Sequence, residues 1–284
     1  MKSIKSRIIL GSLATVAGIF LTGGSAIAQV ANTKHNLGSA GTGPNTFSGT
    51  AEICVFCHTP HGASTTAAVP LWNRTLDDPT TYQTYDSLGT SSMQGATAPV
   101  GSVSIACLSC HDGTQAMDAV SNQPGSGLVD ATFNGGNWGT SPAASTSPIG
   151  SITNSVVRLT KDLRDDHPIG VQYGGGGLTV ATPNLAAGQH NDPDFNATAS
   201  EVINGTTIWW VDTGGAGRQK TDIQLYTRTD TQSAAGTGST SVAIAGGAQP
   251  YVECASCHDP HTTNPTFLRI SNDGSAVCLA CHNK

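Results

Sequence analysis

Apolar positions fall into a few short clusters separated by long polar stretches. The first cluster, Ile8 to Thr22, follows Lys2, Lys5 and Arg7 and precedes the small-residue stretch Ala26-Ile27-Ala28. That order predicts a secretory signal over 1–28 and a mature chain from near Gln29. The run is short for a membrane span, which needs about 20 apolar residues. From Gln29 to Ile53 neither helical nor strand periodicity appears, and Gly, Pro, Ser and Thr dominate, so this reads as an extended arm. Residues 67–104 read as loop with brief extended pieces. Residues 106–120, ACLSCHDGTQAMDAV, predict a short helix interrupted at Gly113. Two alternating runs, TTIWWVD (206–212) and TDIQLYT (221–227), flank a loop holding Gly214, Gly215 and Gly217, which predicts a β-hairpin. Trp209 and Trp210 in that hairpin read as core or as cover for a cofactor edge. Residues 231–248 read as a low-complexity surface loop. The expected fold is mostly coil, with few short helices and a small β-hairpin.

Composition makes that expectation harder to satisfy. Charged residues are 11% of the chain, against about 25% in ordinary globular proteins, and large apolar residues are sparse. Such a chain buries too little apolar surface to offset its ordering entropy, so a cofactor is expected to supply much of the core. The cofactor-free protein is accordingly expected to be largely unfolded. Cleavage after residue 28 would leave 10 basic residues against 19 acidic ones, a net charge of −9. That balance argues against a nucleic-acid partner, whose phosphates need a basic face.

The cysteines name the cofactor. All eight lie in four copies of Cys-x-x-Cys-His: Cys54–Cys57–His58, Cys107–Cys110–His111, Cys254–Cys257–His258 and Cys278–Cys281–His282. The pattern is that of c-type haem attachment, in which two thiols bond the haem vinyl groups and the adjacent His ligates iron. A four-cysteine zinc ribbon fits the spacing of the last two pairs, and a disulfide framework suits an exported chain. Neither rival explains a His after every pair. Four haem c groups are therefore expected, with His58, His111, His258 and His282 proximal. The motifs start 53, 147 and 24 residues apart, so no fixed-length repeat exists. The first and third nevertheless share a longer signature, Cys-x-x-Cys-His-x-Pro-His.

Five histidines remain for the opposite axial positions: His35, His61, His167, His190 and His261. His61 and His261 stand three residues beyond proximal ligands, too close in sequence to clasp the other face of the same porphyrin, so each is expected to ligate a neighbouring haem. His167 sits in an Asp-Asp-His-Pro turn whose carboxylates could hold its other ring nitrogen. His35 is the fourth choice, and His190 reads as a solvated loop residue. Met93 and Met117 are alternative ligands. Irons with both axial positions filled leave no place for substrate, which points to electron transfer and away from catalysis. Gly174 to Gly177 lacks the strand and helix context of a nucleotide site.

The segments CVFCHTPHG (54–62), PLWNRT (70–75), CLSCHDGT (107–114), DDHPIG (165–170), ECASCHDPH (253–261) and FLRISNDGSAVCLACH (267–282) resemble a multihaem c-type cytochrome family of metal-reducing bacteria. Within it the chain is most similar to small tetrahaem outer-surface cytochromes, some of which polymerise into extracellular filaments. The resemblance implies a single tetrahaem domain over 29–284, with haems 1 and 2 in 29–125 and haems 3 and 4 in 126–284. It also implies bis-His irons, with His35, His61, His167 and His261 distal. A stacked haem wire, a homopolymer with one distal His donated by the next subunit, and external electron acceptors such as metal oxides follow from the same resemblance. A monomeric periplasmic shuttle remains the alternative, with a multihaem reductase third.

Overall fold

The computed structural model describes residues 29–43, 45–47, 50–89, 93–117, 119–122, 156–166, 169–178, 182–228, 232–233, 241–242 and 248–283. The signal expected over 1–28, the ligand expected at His167 and most of the insert 231–248 lie outside them. No helix among the described residues is long and apolar enough to cross a membrane.

Among the described residues three short α-helices lie at the attachment motifs: α1 (Ser104–His111), α2 (Cys254–Cys257) and α3 (Ala276–Cys281). Each carries Cys-x-x-Cys residues, and the first motif forms a 3-10 turn over Cys54–Phe56. Helix α1 stops just before the expected interruption, where Gly113 adopts φ 75° and turns the chain away, and it does not resume over 114–117 or 119–120.

The β structure is larger than expected. Strands β1 (Val171–Gln172), β2 (Ala199–Ile203), β3 (Thr206–Val211), β4 (Ile223–Arg228) and β7 (Gln249–Val252) form one antiparallel sheet in the order β1-β7-β4-β3-β2. Strands β5 (Gln232–Ser233) and β6 (Ser241–Val242) pair separately. The hairpin expected over 206–227 is β3–β4, with Trp209 opposite Leu225. A second hairpin, β2–β3, turns at Asn204-Gly205, where Ile203 pairs Thr206 and both turn residues have positive φ, 50° and 77°. That is the primed two-residue turn, whose twist matches paired strands. Strand β7 matters most for the site, because it runs straight into Glu253 and the third motif.

Apolar side chains gather in three small clusters bordered by attachment cysteines. Phe47, Phe56 and Met117 pack together with Cys57 and Cys110 at their edge. Tyr173, Trp209, Val211, Ile223 and Leu225 form a second cluster touching Cys281. Trp72, Tyr82, Ile105, Leu108 and Leu163 form the third, again against Cys57. Met117, weighed above as an iron ligand, is 3% exposed and packs as core. Trp209 also packs as core and donates its Nε1–H to the Pro183 carbonyl at 2.8 Å.

Buried polar groups tie the motifs together. Arg228 Nη1 meets Glu253 Oε1 at 2.6 Å, with both side chains at most 5% exposed. Ser104 Oγ at the start of α1 donates to Glu253 Oε2 at 2.5 Å and accepts from the Cys254 amide at 3.0 Å. Glu253 is also the N-cap of α2, in a reciprocal capping box with Ser256. One carboxylate therefore joins the second motif's helix to the third motif's helix. Arg74 likewise donates to the carbonyls of Met117, Ser109 and Ala116, closing residues 70–75 onto the end of α1.

Candidate functional site

None of the eight cysteines is disulfide-bonded. Among the described residues no three His, Cys, Asp or Glu side chains converge as a metal centre. The cysteines of the third and fourth motifs therefore do not gather into the tetrahedral set a zinc ribbon requires. Burial pushes the Cys57 and Cys281 thiols up to about 12, as expected of sulfurs turned toward apolar surroundings.

Each motif makes one helical turn, with the His amide donating to the first Cys carbonyl at 2.8 Å in motif one, 3.1 Å in motif three and 2.9 Å in motif four. In motifs three and four the His then leaves the helix, with φ/ψ of −102°/137° and −96°/139°. It enters an isolated antiparallel bridge instead. His58 bridges Trp72, His258 bridges Leu268 and His282 bridges Phe195. The ladder is the same in all three. The amide after the His donates to a carbonyl on the facing segment (Thr59 to Leu71, Asp259 to Phe267, Asn283 to Asp194). Two residues further along that segment, an amide donates back to the second Cys carbonyl (Asn73 to Cys57, Arg269 to Cys257, Asn196 to Cys281). The side chain between them leans on the imidazole where it is aromatic, with ring centroids 6.0 Å apart for Trp72 and His58 and 4.6 Å for Phe195 and His282. Motif two differs, because His111 stays inside α1 and its carbonyl accepts from Leu159.

These facing segments also fix ring tautomers. His58 Nδ1 lies 2.8 Å from the Pro70 carbonyl, His111 Nδ1 2.8 Å from Val157 and His258 Nδ1 2.8 Å from Thr266. A carbonyl only accepts, so Nδ1 carries a proton and Nε2 is the nitrogen left to face a metal, the arrangement a ligating His needs. In His261, Nδ1 faces Asp259 Oδ1 at 3.4 Å, and that pairing holds the Asp259 carboxyl at about 2. Burial lowers His35 to about 4, the charges of His111, His261 and His258 adding to the effect, so its ring is neutral and able to bind a metal.

Two pairs of imidazoles face one another. His58 and His261 have centroids 6.2 Å apart and planes 18° apart; His35 and His111 are 6.3 Å apart at 80°. With a metal–nitrogen bond of about 2 Å, two axial imidazoles on one ion have centroids roughly 6 Å apart. Both pairs thus fit a shared iron, and the residues present fit the haem reading. Phe267 covers the other face of His35, stacked at 4.2 Å. Among the described residues no second imidazole faces His61, His258 or His282.

His190 is misplaced by the sequence reading. It is 5% exposed, and neither ring nitrogen has a hydrogen-bond partner. The ring packs edge-on against Tyr173 at 5.1 Å and lies against Gly174. A Cβ at Gly174 would come within 2.7 Å of the His190 ring, and its φ is 57°, so a glycine at this position admits the histidine. The run itself was the available signal, since several consecutive glycines mark a close approach as readily as a loop.

The segment 248–284, which carries the third and fourth motifs, matches the protein family described as Doubled CXXCH motif. No curated protein matches the chain. The doubled motif belongs to c-type cytochromes and indicates covalently bound haem c in a haem-binding electron-transfer protein.

Proposed function

We propose that the chain is a tetrahaem c-type cytochrome whose irons are all bis-His, and that it transfers electrons without acting on a substrate. The facing imidazole pairs carry the reading. Cys54 and Cys57, Cys107 and Cys110, Cys254 and Cys257, and Cys278 and Cys281 hold the four porphyrins. His58 and His261 take one iron, and His35 and His111 another. His261 thus serves the haem of motif one, while its near neighbour His258 holds that of motif three, which brings two porphyrins close. His258 and His282 take their opposite ligands from His61 and His167 or from a second copy of the chain. Haem c, once attached, supplies a one-electron couple. The protein's part is to fill both axial positions, exclude substrate and water, and keep successive porphyrins close.

The resemblance to outer-surface cytochromes favours an exported chain that polymerises into a conductive filament and delivers electrons to external acceptors. The alternative is a monomeric periplasmic shuttle. Electron microscopy of the purified native protein beside size-exclusion chromatography separates them. Filaments of uniform width support the polymer, and a monodisperse monomer overturns it. A mass increment of four haems supports the cofactor count. A high-spin ferric signal or carbon monoxide binding in the native reduced protein would instead favour a reductase.

A further inference from the structure

The ladder shared by three motifs has a side-chain counterpart. Asn73 Nδ2 donates to the Val55 carbonyl at 2.6 Å, Arg269 Nε to Ala255 at 3.0 Å and Asn196 Nδ2 to Leu279 at 2.9 Å. Val55, Ala255 and Leu279 are each the residue after the first cysteine of their motif. The same three residues send their amides to the second cysteine's carbonyl. One residue therefore grips both ends of each Cys-x-x-Cys turn, although it is Asn in two cases and Arg in the third. Three positions before the grip stand Pro70 and Thr266, whose carbonyls hold His58 and His258; the same register position for His282 is Pro193. The device recurs on facing segments 18, 14 and 83 residues from their motifs, so sequence proximity does not produce it.

We infer that Asn73, Arg269 and Asn196 are positioning residues for haems 1, 3 and 4, each closing one attachment turn from outside and setting the direction of its proximal imidazole. The inference rests on the haem reading above. The amide and side-chain N–H groups of the grip neutralise two carbonyls that a helix only one turn long leaves unpaired. In motifs one and three they also hold the facing strand in register, so that its earlier carbonyl meets Nδ1–H; in motif four they hold the Phe195 ring against the His282 imidazole. The Nδ1–H hydrogen bond raises the basicity of Nε2 and favours ferric iron. A loosened grip weakens it, turns the imidazole and raises the potential of that haem. Motif two, held inside α1, has no such residue among those described and stands outside the device.

The test uses the haem-loaded full chain carrying Asn73→Ala, Arg269→Ala or Asn196→Ala. Redox titration followed by visible spectra is paired with low-temperature electron paramagnetic resonance, and peptide mass mapping counts haem at each motif. Each variant is expected to shift one low-spin signal and raise one potential, a different one each time. One signal should stay put through all three. Arg269→Lys, which keeps a donor, should restore the wild-type signal. Should a variant lose haem, loss at its own motif alone supports the grip and loss at every motif counts against it. Asn196→Ser serves where Asn196→Ala accumulates too little protein. Unchanged signals in all three fully loaded variants, or equal shifts of every signal, overturn the inference. A wild-type chain without haem on its motifs would overturn the underlying reading instead.

Discussion

The rings of His58 and His261, 203 positions apart in the chain, face each other at 6.2 Å with planes 18° apart. His261→Ala should leave one ferric iron high-spin and let it bind carbon monoxide when reduced, with the remaining irons low-spin. Visible spectra before and after carbon monoxide check it, and an unchanged low-spin spectrum would show that another group supplies the ligand.

His35 and His111 face each other at the same separation but at 80°. Near-parallel and near-perpendicular imidazoles split the iron orbitals differently, so two distinguishable low-spin ferric resonances are expected. His35→Ala should remove the more anisotropic one and spare the signal lost in His261→Ala. Loss of the same signal in both variants would refute the pairing.

The Arg228–Glu253 pair is buried, and Glu253 also receives Ser104. Glu253→Ala leaves a buried guanidinium without its carboxylate and should cost about 3–5 kcal/mol. Denaturant unfolding of the haem-loaded protein measures it. A loss below about 1 kcal/mol, the scale of an exposed pair, would mean that water reaches the site.

His190 gives a pH dependence. Burial lowers its pKa; the Gly176 and Asn196 carbonyls, close to the ring but outside hydrogen-bonding geometry, and the Asp192 charge oppose it more weakly. The unfolded chain, with a histidine pKa of about 6.5, then binds a proton that the folded chain refuses. Stability from this group is therefore whole above about pH 6.5 and is lost as pH falls below that value. His190→Gln should flatten the fall, and equal acid slopes in the two proteins would exclude a buried His190. Gly174→Ala, forced against the same ring, should destabilise by more than about 1 kcal/mol.

The turn at Asn204-Gly205 offers a test independent of the cofactor. With φ of 77° at Gly205, Gly205→Ala should cost about 1–2 kcal/mol. Thermal unfolding of the loaded protein reads the difference, and no change would place the turn in another conformation.

The attachment motifs were legible because covalent chemistry demands two thiols and a ligand within five consecutive positions. The β3–β4 hairpin was legible from its alternation. The β2–β3 turn was equally open to reading, since Asn-Gly between two extended runs is the strongest short hairpin signal, yet the exposed Val202 and Ile203 blur the alternation on β2. Strands β1 and β7 are only two and four residues long, too short for an alternation to show. His190 was misread because loop composition says nothing about burial. The facing segment at 193–196 carries no pattern of its own; only the backbone register against Cys281 gives it a role.

That register bears on the order in which the protein can assemble. A chain made from its N-terminus must wait for Asn73 and Arg269, which come 18 and 14 residues after the carbonyls they grip. Asn196 precedes its partner Leu279 by 83 residues and is ready before the fourth motif exists. Closing the two short loops is entropically cheap and local, whereas the long one brings in the chain between, sheet strands included. The first and third turns can therefore close from nearby chain alone once their haems are attached, and the fourth becomes the step that records whether everything between has folded.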